Sequence, residues 1–381
     1  MKLIAQLKLL PTPEQALALK RTLETANHAC NFVSREAWKA KTFRQYDLHH
    51  LCYKPLRERF PLSAQMAVRA VAKVADAYKL DRKTRRAFRT SGSVAYDDRI
   101  LSWRLADSTV SIWTVDSRQR VPFVCGERQR QLLTNRQGES NLILVGGTFY
   151  LAATCNAEEP DLIDVQGVLG VDLGVVNIAV DSDGDVHSAS HINNVRFRHR
   201  RLRAKLQRKG SRRAKRKLKQ LSGKEQRFAK DTNHRISKQL VAKAKDTRRA
   251  IALENLGGIR KRVTVRRHQR ATLHSWAFFQ LRTFVEYKAR LAGVPVVPVD
   301  PRNTSRTCPE CGHIDKANRK SQSRFSCVVC GHSGQADHIA AVNISRRADV
   351  NRPNVARAPS QVASLKAASA AASHPFRADG H

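Results

Sequence analysis

The run from Val168 to Val180, Val-Leu-Gly-Val-Asp-Leu-Gly-Val-Val-Asn-Ile-Ala-Val, is apolar at nearly every side chain, and one carboxylate, Asp172, interrupts it. A short segment this rich in Val and Ile, with a glycine inside it, reads as two buried strands joined by a tight turn at Leu173-Gly174. A charge within such a strand is costly unless it meets a cation or a metal. Taken alone, Asp172 fits a satisfied buried acid, or a turn former ahead of Gly174, as well as it fits a ligand.

The chain of 381 residues carries 70 Lys and Arg against 32 Asp and Glu, a formal charge of +38. That length suggests two or three domains, and the charge calls for a polyanion partner. No apolar run reaches membrane-spanning length, and the N-terminus alternates instead of showing a signal-peptide core. The expectation is a cytoplasmic protein that meets nucleic acid and no membrane. Cys30, Cys52, Cys125 and Cys155 are scattered and read as packed thiols in a reducing compartment.

Residues 2–10 alternate as a half-buried strand ended by Pro11. Thr12 as N-cap, Pro13 at the first helical position and Gln15 as box partner then open a helix to about Lys39, with Ala16, Leu19, Leu23 and Ala26 on one face. A second helical stretch starts near Ser63 and carries Met66, Val68, Val71, Val74 and Ala77. From Ser91 to Ala157 short β-type runs broken by turns predict an antiparallel unit. His49-His50 reads as surface. Ala157-Glu158-Glu159-Pro160 marks a domain boundary. Asp181-Ser182-Asp183-Gly184-Asp185 superficially resembles a calcium loop, but it lacks the later Glu and flanking helices, so a hairpin turn is expected.

From Arg196 to Lys219, fourteen of twenty-four residues are Lys or Arg and none is acidic. An apolar edge (Leu202, Leu206, Leu218, Leu221) lets this stretch pack as a helix, and the absence of acids argues for phosphate contact. Arg200, Arg201, Arg203, Lys205, Arg208, Lys209, Arg212 and Arg213 are the candidate contacts. A second helix, Asn233 to Ala244, is expected to return antiparallel. Arg249–Glu254 is a short apolar strand ending in a carboxylate, and ligands gather beyond the carboxyl ends of strands in open α/β sheets. After Leu256-Gly257-Gly258 come a basic, mobile loop (Arg260 to Arg270) and a helix from Ser275 to Gly293 with Phe278, Leu281, Val285, Ala289 and Leu291 on its apolar face. Val294–Val299 is an edge strand by its prolines, Pro295 and Pro298.

Cys308-Pro-Glu-Cys311 and Cys327-Val-Val-Cys330, each followed by Gly, have the spacing of a closed four-sulfur zinc site that holds shape. Two disulfides are the alternative, and His313 and His332 are not needed as ligands. Gln335 to Ile344 then reads as a helix with Asp337 in its first turn, where an acid also suits the dipole. From Ala348 the composition predicts a disordered basic tail.

Asp172, Glu254 and Asp337 thus form a set: mid-strand, strand end and first helical turn. If their two strands are adjacent, Asp172 and Glu254 lie about one strand spacing (~5 Å) apart, which suits shared ligation of two Mg²⁺ roughly 4 Å apart. The reaction class this predicts is phosphodiester hydrolysis by in-line attack.

Gly170-Val-Asp172-Leu-Gly174, Glu254-Asn-Leu256, the two Cys-x-x-Cys knuckles and Asp337-x-x-Ala-Ala-x-Asn343 occur in this order, with Trp276 through Tyr287-Lys288-Ala289 and Thr304-Ser305-Arg306-Thr307-Cys308 between them. Together they resemble the TnpB family of transposon-associated nucleases, relatives of the miniature type V CRISPR effectors, over nearly the whole chain to about Arg346. The resemblance implies an α/β plus β architecture: an RNase H-like RuvC nuclease domain with a zinc-ribbon insertion, preceded by a β-barrel wedge domain carrying a helical recognition insertion. The implied boundaries are 1–160 for the wedge with its insertion over about 12–90, 161–302 for the nuclease domain with a basic helical hairpin at 196–245, 303–334 for the ribbon, 335–347 for a final nuclease helix and 348–381 for the tail. It further implies an RNA-guided, Mg²⁺-dependent DNA endonuclease, with guide RNA and target DNA as partners, one chain on the RNA, and a nucleoid-associated location in a bacterium or archaeon. Asp172, Glu254 and Asp337 match the catalytic positions; Cys308, Cys311, Cys327 and Cys330 would hold one zinc. Ile339 departs from the Asn usual there. A repressor that binds without cutting, a transposase or its accessory protein, and a stand-alone RNA-binding protein are the competing readings.

Overall fold

The computed structural model describes residues 1–174, 176–255 and 278–350, and divides into two units at Glu158/Glu159. In the first, β1 (Lys2–Leu9) alternates as expected and turns Ala5, Leu7 and Leu9 inward. It lies at the centre of an antiparallel sheet, between β7 (Thr148–Asn156) and β5 (Arg118–Val124). The full order is β2-β6-β7-β1-β5-β4-β3, with β2 (Val94–Tyr96), β3 (Leu101–Arg104), β4 (Thr109–Trp113) and β6 (Arg136–Val145). The two outermost strands, β2 and β3, are consecutive in the chain with only residues 97–100 between them. The Tyr96 hydroxyl donates to the carbonyl of Trp113 at 3.1 Å. The sheet must therefore curl, bringing its two ends toward each other.

The insertion between β1 and β2 is three helices: α1 (Pro13–Ala40), α2 (Gln45–Arg59) and α3 (Ala64–Leu80). The capping box is in place, with Gln15 N donating to Thr12 Oγ1 and Thr12 N donating to Gln15 Oε1. Ser63 caps α3. The helix α2 was not expected, because Pro55 lies inside it and proline normally breaks a helical interior. Leu48, Cys52 and Leu56 recur every four residues and are fully buried against the other two helices, so packing overrides propensity. His49 and His50 lie on this helix, His49 stacked on Tyr53. A short α4 (Glu127–Thr134) was likewise unforeseen.

The second unit is built on a five-stranded sheet, β10-β9-β8-β11-β12, formed by β8 (Gly167–Asp172), β9 (Asn177–Asp181), β10 (Val186–Ser188), β11 (Arg249–Glu254) and β12 (Val296–Val299). Strands β8, β11 and β12 run parallel and β9 antiparallel, giving the order 3-2-1-4-5 within the unit. Because alternate residues face opposite sides, Leu169, Val171, Ile251 and Leu253 meet α6 (Arg212–Asp246) and α7 (Phe278–Ala292) on one face. Val168, Ala250, Ala252 and Val299 meet α8 (Ala336–Val350) on the other. The edge position of β12 is as its prolines predict.

Several boundaries differ from expectation. The basic stretch is not one helix to Lys219. Instead, α5 (Ser190–Lys209) ends at Gly210 in the left-handed region (φ 61°), and Ser211 caps α6 by accepting from Ala214 N. Glycine takes that conformation without steric cost, so the hairpin turns at 210–211 and α6 is continuous through Asn233 to Asp246. Asp172 is the last residue of β8 and not mid-strand. The helix α8 runs to Val350, because Ala348 is buried in the core beside Val168; the expected tail therefore begins no earlier than residue 351. Residues 351–381, the loop at Arg260–Arg270 and the start of the helix at Ser275 lie outside the described residues. Asp181, Asp183 and Asp185 form a hairpin turn, and their cation is internal: Lys243 Nζ lies 2.5, 2.9 and 2.7 Å from them, and Arg249 makes a two-pronged bond to Asp183.

Candidate active site

Strands β8 and β11 are parallel neighbours with Leu253 opposite Val171, so Asp172 and Glu254 end adjacent strands at the same edge of the sheet. Asp337 comes from the first turn of α8. What brings it there is Gly170: an ideal Cβ at that position would stand 2.1 Å from the carbonyl oxygen of Ala341 and 2.5 Å from Ser345 N. With no side chain between them, α8 lies on the β8 backbone, and Ser345 Oγ donates to the carbonyl of Val168 at 2.7 Å.

Asp172 feels the other two carboxylates. Burial, then the charges of Glu254 and Asp337, push the pKa of Asp172 up to about 7, against a smaller opposing pull from Arg319. Burial also raises Glu254, and a hydrogen bond from Thr304 opposes that rise; the Thr304 hydroxyl lies 2.5 Å from Glu254 Oε1. Asp337 is 7% exposed; its Oδ2 accepts from Asn177 Nδ2 at 2.9 Å, and its Oδ1 faces the Arg319 guanidinium at 3.5 Å. Asn177, Thr304 and Arg319 carried no sign of such roles in the sequence. Thr304 stood in a quoted motif, while Arg319 is one more Arg in a basic chain.

The four cysteines form the second cluster. Their sulfurs all lie within 4.8 Å of one another, with Cys308–Cys330 at 3.5 Å and Cys311–Cys327 at 3.6 Å. Disulfides need about 2.05 Å, whereas four sulfurs at ~2.3 Å from a tetrahedral Zn²⁺ stand about 3.8 Å apart. The cluster fits zinc. Each knuckle turns on a glycine with positive φ, Gly312 (73°) and Gly331 (74°), whose N–H donates to the carbonyl of Cys308 or Cys327. Backbone N–H groups of Cys330 and Val329 aimed at Cys327 hold its thiol down, at about 6. Asn318 ties the knuckles together, donating to the carbonyls of Arg306 and His313 and accepting from Val328 N. Ile339, the departure noted in the sequence, is buried with Cys308, Phe325 and Cys327 and seats the ribbon on α8. Among the described residues this quartet is the one group of three or more such side chains close enough to share an ion as it stands. Among the acids, Glu254 and Asp337 act on Asp172 through their charges.

Of the candidate phosphate contacts, Arg200, Arg201, Lys205, Arg208, Lys209, Arg212 and Arg213 are exposed along α5 and the start of α6. Arg203 differs: it pairs with Glu225 of α6, an acid outside the stretch whose composition was read.

Two family models match, "Probable transposase" over residues 155–256 and "Cas12f1-like, TNB domain" over residues 278–344. A Cas12f1 endodeoxyribonuclease of Sulfoacidibacillus thermotolerans is 38% identical over 129 residues, 34% of this chain and 29% of that protein. One from Syntrophomonas palmitatica is 30% identical over 206 residues, 50% of this chain and 40% of that protein. The chain thus spans well under half the length of these effectors. Among solved structures, Cas12f1 in a complex with single guide RNA and target DNA superposes with a TM-score of 0.61 at 17% identity, covering 87% of this chain and 81% of that one. The two chains therefore share a fold. The TnpB-like protein MJ0751 of Methanocaldococcus jannaschii is 31% identical over 195 residues, 48% of this chain and 69% of that protein. At that identity and coverage, this protein belongs to the TnpB family.

Proposed function

We propose that this protein is an RNA-guided DNA endonuclease that hydrolyses phosphodiester bonds with divalent metal ions held by Asp172, Glu254 and Asp337. The observation that carries the reading is that Asp172 and Glu254 end adjacent parallel strands, with Asp172 raised by burial and by the charges of Glu254 and Asp337. Like charges gathered this way await a cation, and carboxylate oxygens are the hard donors that Mg²⁺ takes. Bound there, Mg²⁺ supplies the Lewis acidity and activated water of phosphodiester hydrolysis. The chain's own part is placement. The ends of β8 and β11 present two carboxylates side by side, the Asn177 amide orients the third, and Arg319 sets a guanidinium beside it that suits a substrate phosphate. A closed four-thiolate zinc site keeps the ribbon, and with it Arg319, in register.

The curled sheet and three-helix insertion of the first unit serve as wedge and recognition parts in this reading. The names of the relatives and the +38 charge support guide RNA and target DNA as partners. The basic face of α5 and α6 would hold nucleic acid through its backbone, with one chain on the RNA.

The test is cleavage. The protein is co-expressed with its own flanking DNA, and its bound RNA is purified. The complex then meets plasmids carrying a matched target beside a randomised motif, with Mg²⁺ or EDTA and beside Asp172→Ala. Guide-dependent cutting that stops in EDTA and in the variant is expected. Binding without cutting indicates a repressor instead, and a preparation without RNA overturns the guided mechanism.

A further inference from the structure

Thr304 is 3% exposed, in the segment that leads from β12 into the zinc ribbon, and its side chain points at the acidic cluster. Its hydroxyl has one proton and two acceptors within reach: Glu254 Oε1 at 2.5 Å and the carbonyl of Pro301 at 3.2 Å. The short contact to an ionised carboxylate is the stronger of the two.

The backbone on both sides of Thr304 is held by the helix that carries Asp337. Asn343 Nδ2 donates to the carbonyls of Thr304 (2.8 Å) and Thr307 (2.7 Å), and Arg347 donates to the carbonyls of Asp300 (3.1 Å) and Arg302 (2.5 Å). One helix therefore supplies one acid directly and fixes the residue that grips another. Glu254 Oε2 takes no hydrogen bond from the described residues, so the grip occupies one oxygen and leaves its partner for ligation.

We propose that Thr304 is a positioning residue for the metal site: its hydroxyl locks Glu254 in the ligating orientation, and α8 sets the lock through Asn343 and Arg347. This rests on the metal-dependent nuclease reading. It accounts for why a threonine four residues ahead of the first knuckle and an asparagine six residues after Asp337 belong to one constellation. Groups that orient metal ligands typically change metal affinity by 10–100-fold when removed.

The experiment measures Mn²⁺ bound by the purified protein–RNA complex, from the loss of the free-ion paramagnetic resonance signal, with Asp172→Ala as the blank. Thr304→Val keeps the shape without the hydroxyl, Thr304→Ala removes bulk as well, and Thr304→Ser restores the hydroxyl. Binding about tenfold weaker in Val and Ala, with Ser within about threefold of the parent, is expected. In cleavage, the Mg²⁺ needed for half-maximal rate should rise by a similar factor while retained RNA and zinc content stay constant. Parental Mn²⁺ binding in Val and Ala overturns the proposal, as does equal impairment in Ser and Val, which would assign the role to packing. Should Val fail to fold, the Ala and Ser pair decides. A parent that binds no more Mn²⁺ than Asp172→Ala sinks the metal-site reading itself, an outcome distinct from the other two.

Discussion

Asp172 prefers its acid form in the folded chain, with its pKa at about 7 against an ordinary 3.8, first from burial and then from Glu254 and Asp337. A raised folded-state pKa means the native state binds the extra proton, so this residue's contribution to stability is complete below pH ~4. It is lost as pH rises toward about 7, and flat above that. The span corresponds to roughly 4 kcal/mol at most. Without divalent metal at pH 8, Asp172→Asn should therefore melt higher than the parent, although it should also abolish cleavage; in EDTA at pH 4 the two should converge. A variant that melts lower at pH 8 in EDTA refutes the electrostatic account. Gly170 is the other decisive residue. A methyl there meets a backbone carbonyl oxygen at 2.1 Å, and overpacking of well-filled sites costs about 1–3 kcal/mol. Gly170→Ala should lie at the upper end of that range by urea unfolding and should also reduce cleavage, because α8 and Asp337 must shift together. Unchanged cleavage would mean that Asp337 does not depend on this contact.

At the scale of elements, the ribbon and α8 act as a unit. Cys308, Phe325, Cys327, Ala336 and Ile339 share one small core, and Arg346 reaches the carbonyl of Pro309 in the first knuckle. A core this small would be held by a metal at the four cysteines, and structural zinc contributes on the order of 10 kcal/mol to such modules. The purified chain should contain one zinc. Cys308→Ser should lose it and lose cleavage more than RNA retention, because Arg319 and Thr304 lose their supports while α5 does not. Equal losses of both would assign the ribbon to RNA binding. Elements with a local signature were legible in the sequence: β1 by alternation, α1 by its capping box, β8 and β11 by short apolar runs, and the knuckles by spacing. The hidden ones were those where tertiary packing decides. Pro55 masked α2, and Gly210 broke a basic run whose composition is uniform on either side. Of the site, the acids could be named in advance, since a carboxylate in an apolar strand or at its end stands out. Asn177, Thr304 and Arg319 could not, because their roles depend on which chain segments meet.

At the scale of the whole molecule, 70 Lys and Arg face 32 Asp and Glu, so pairing every acid would still leave +38. Where each cation sits decides what it does. Along α5 and the start of α6, seven of the eight candidate residues have no acidic partner among the described residues, while Arg203 is engaged by Glu225. Each phosphate contact releases condensed counterions, so the logarithm of affinity falls linearly with the logarithm of salt, by about 0.7–0.9 per contact. Changing Arg201 or Arg208 to Gln should flatten the salt dependence of RNA binding by up to about that much each. Arg203→Gln should change it less, because its guanidinium is already partly neutralised, and Glu225→Gln should steepen it by freeing Arg203. The measurement is RNA affinity from about 50 to 200 mM salt for the four variants. If Arg203→Gln flattens the slope as much as Arg201→Gln does, the pair with Glu225 opens on RNA and the helical hairpin rearranges when it binds. If none of the four changes it, the polyanion lies elsewhere on the basic surface, and the charge density of α5 serves another partner.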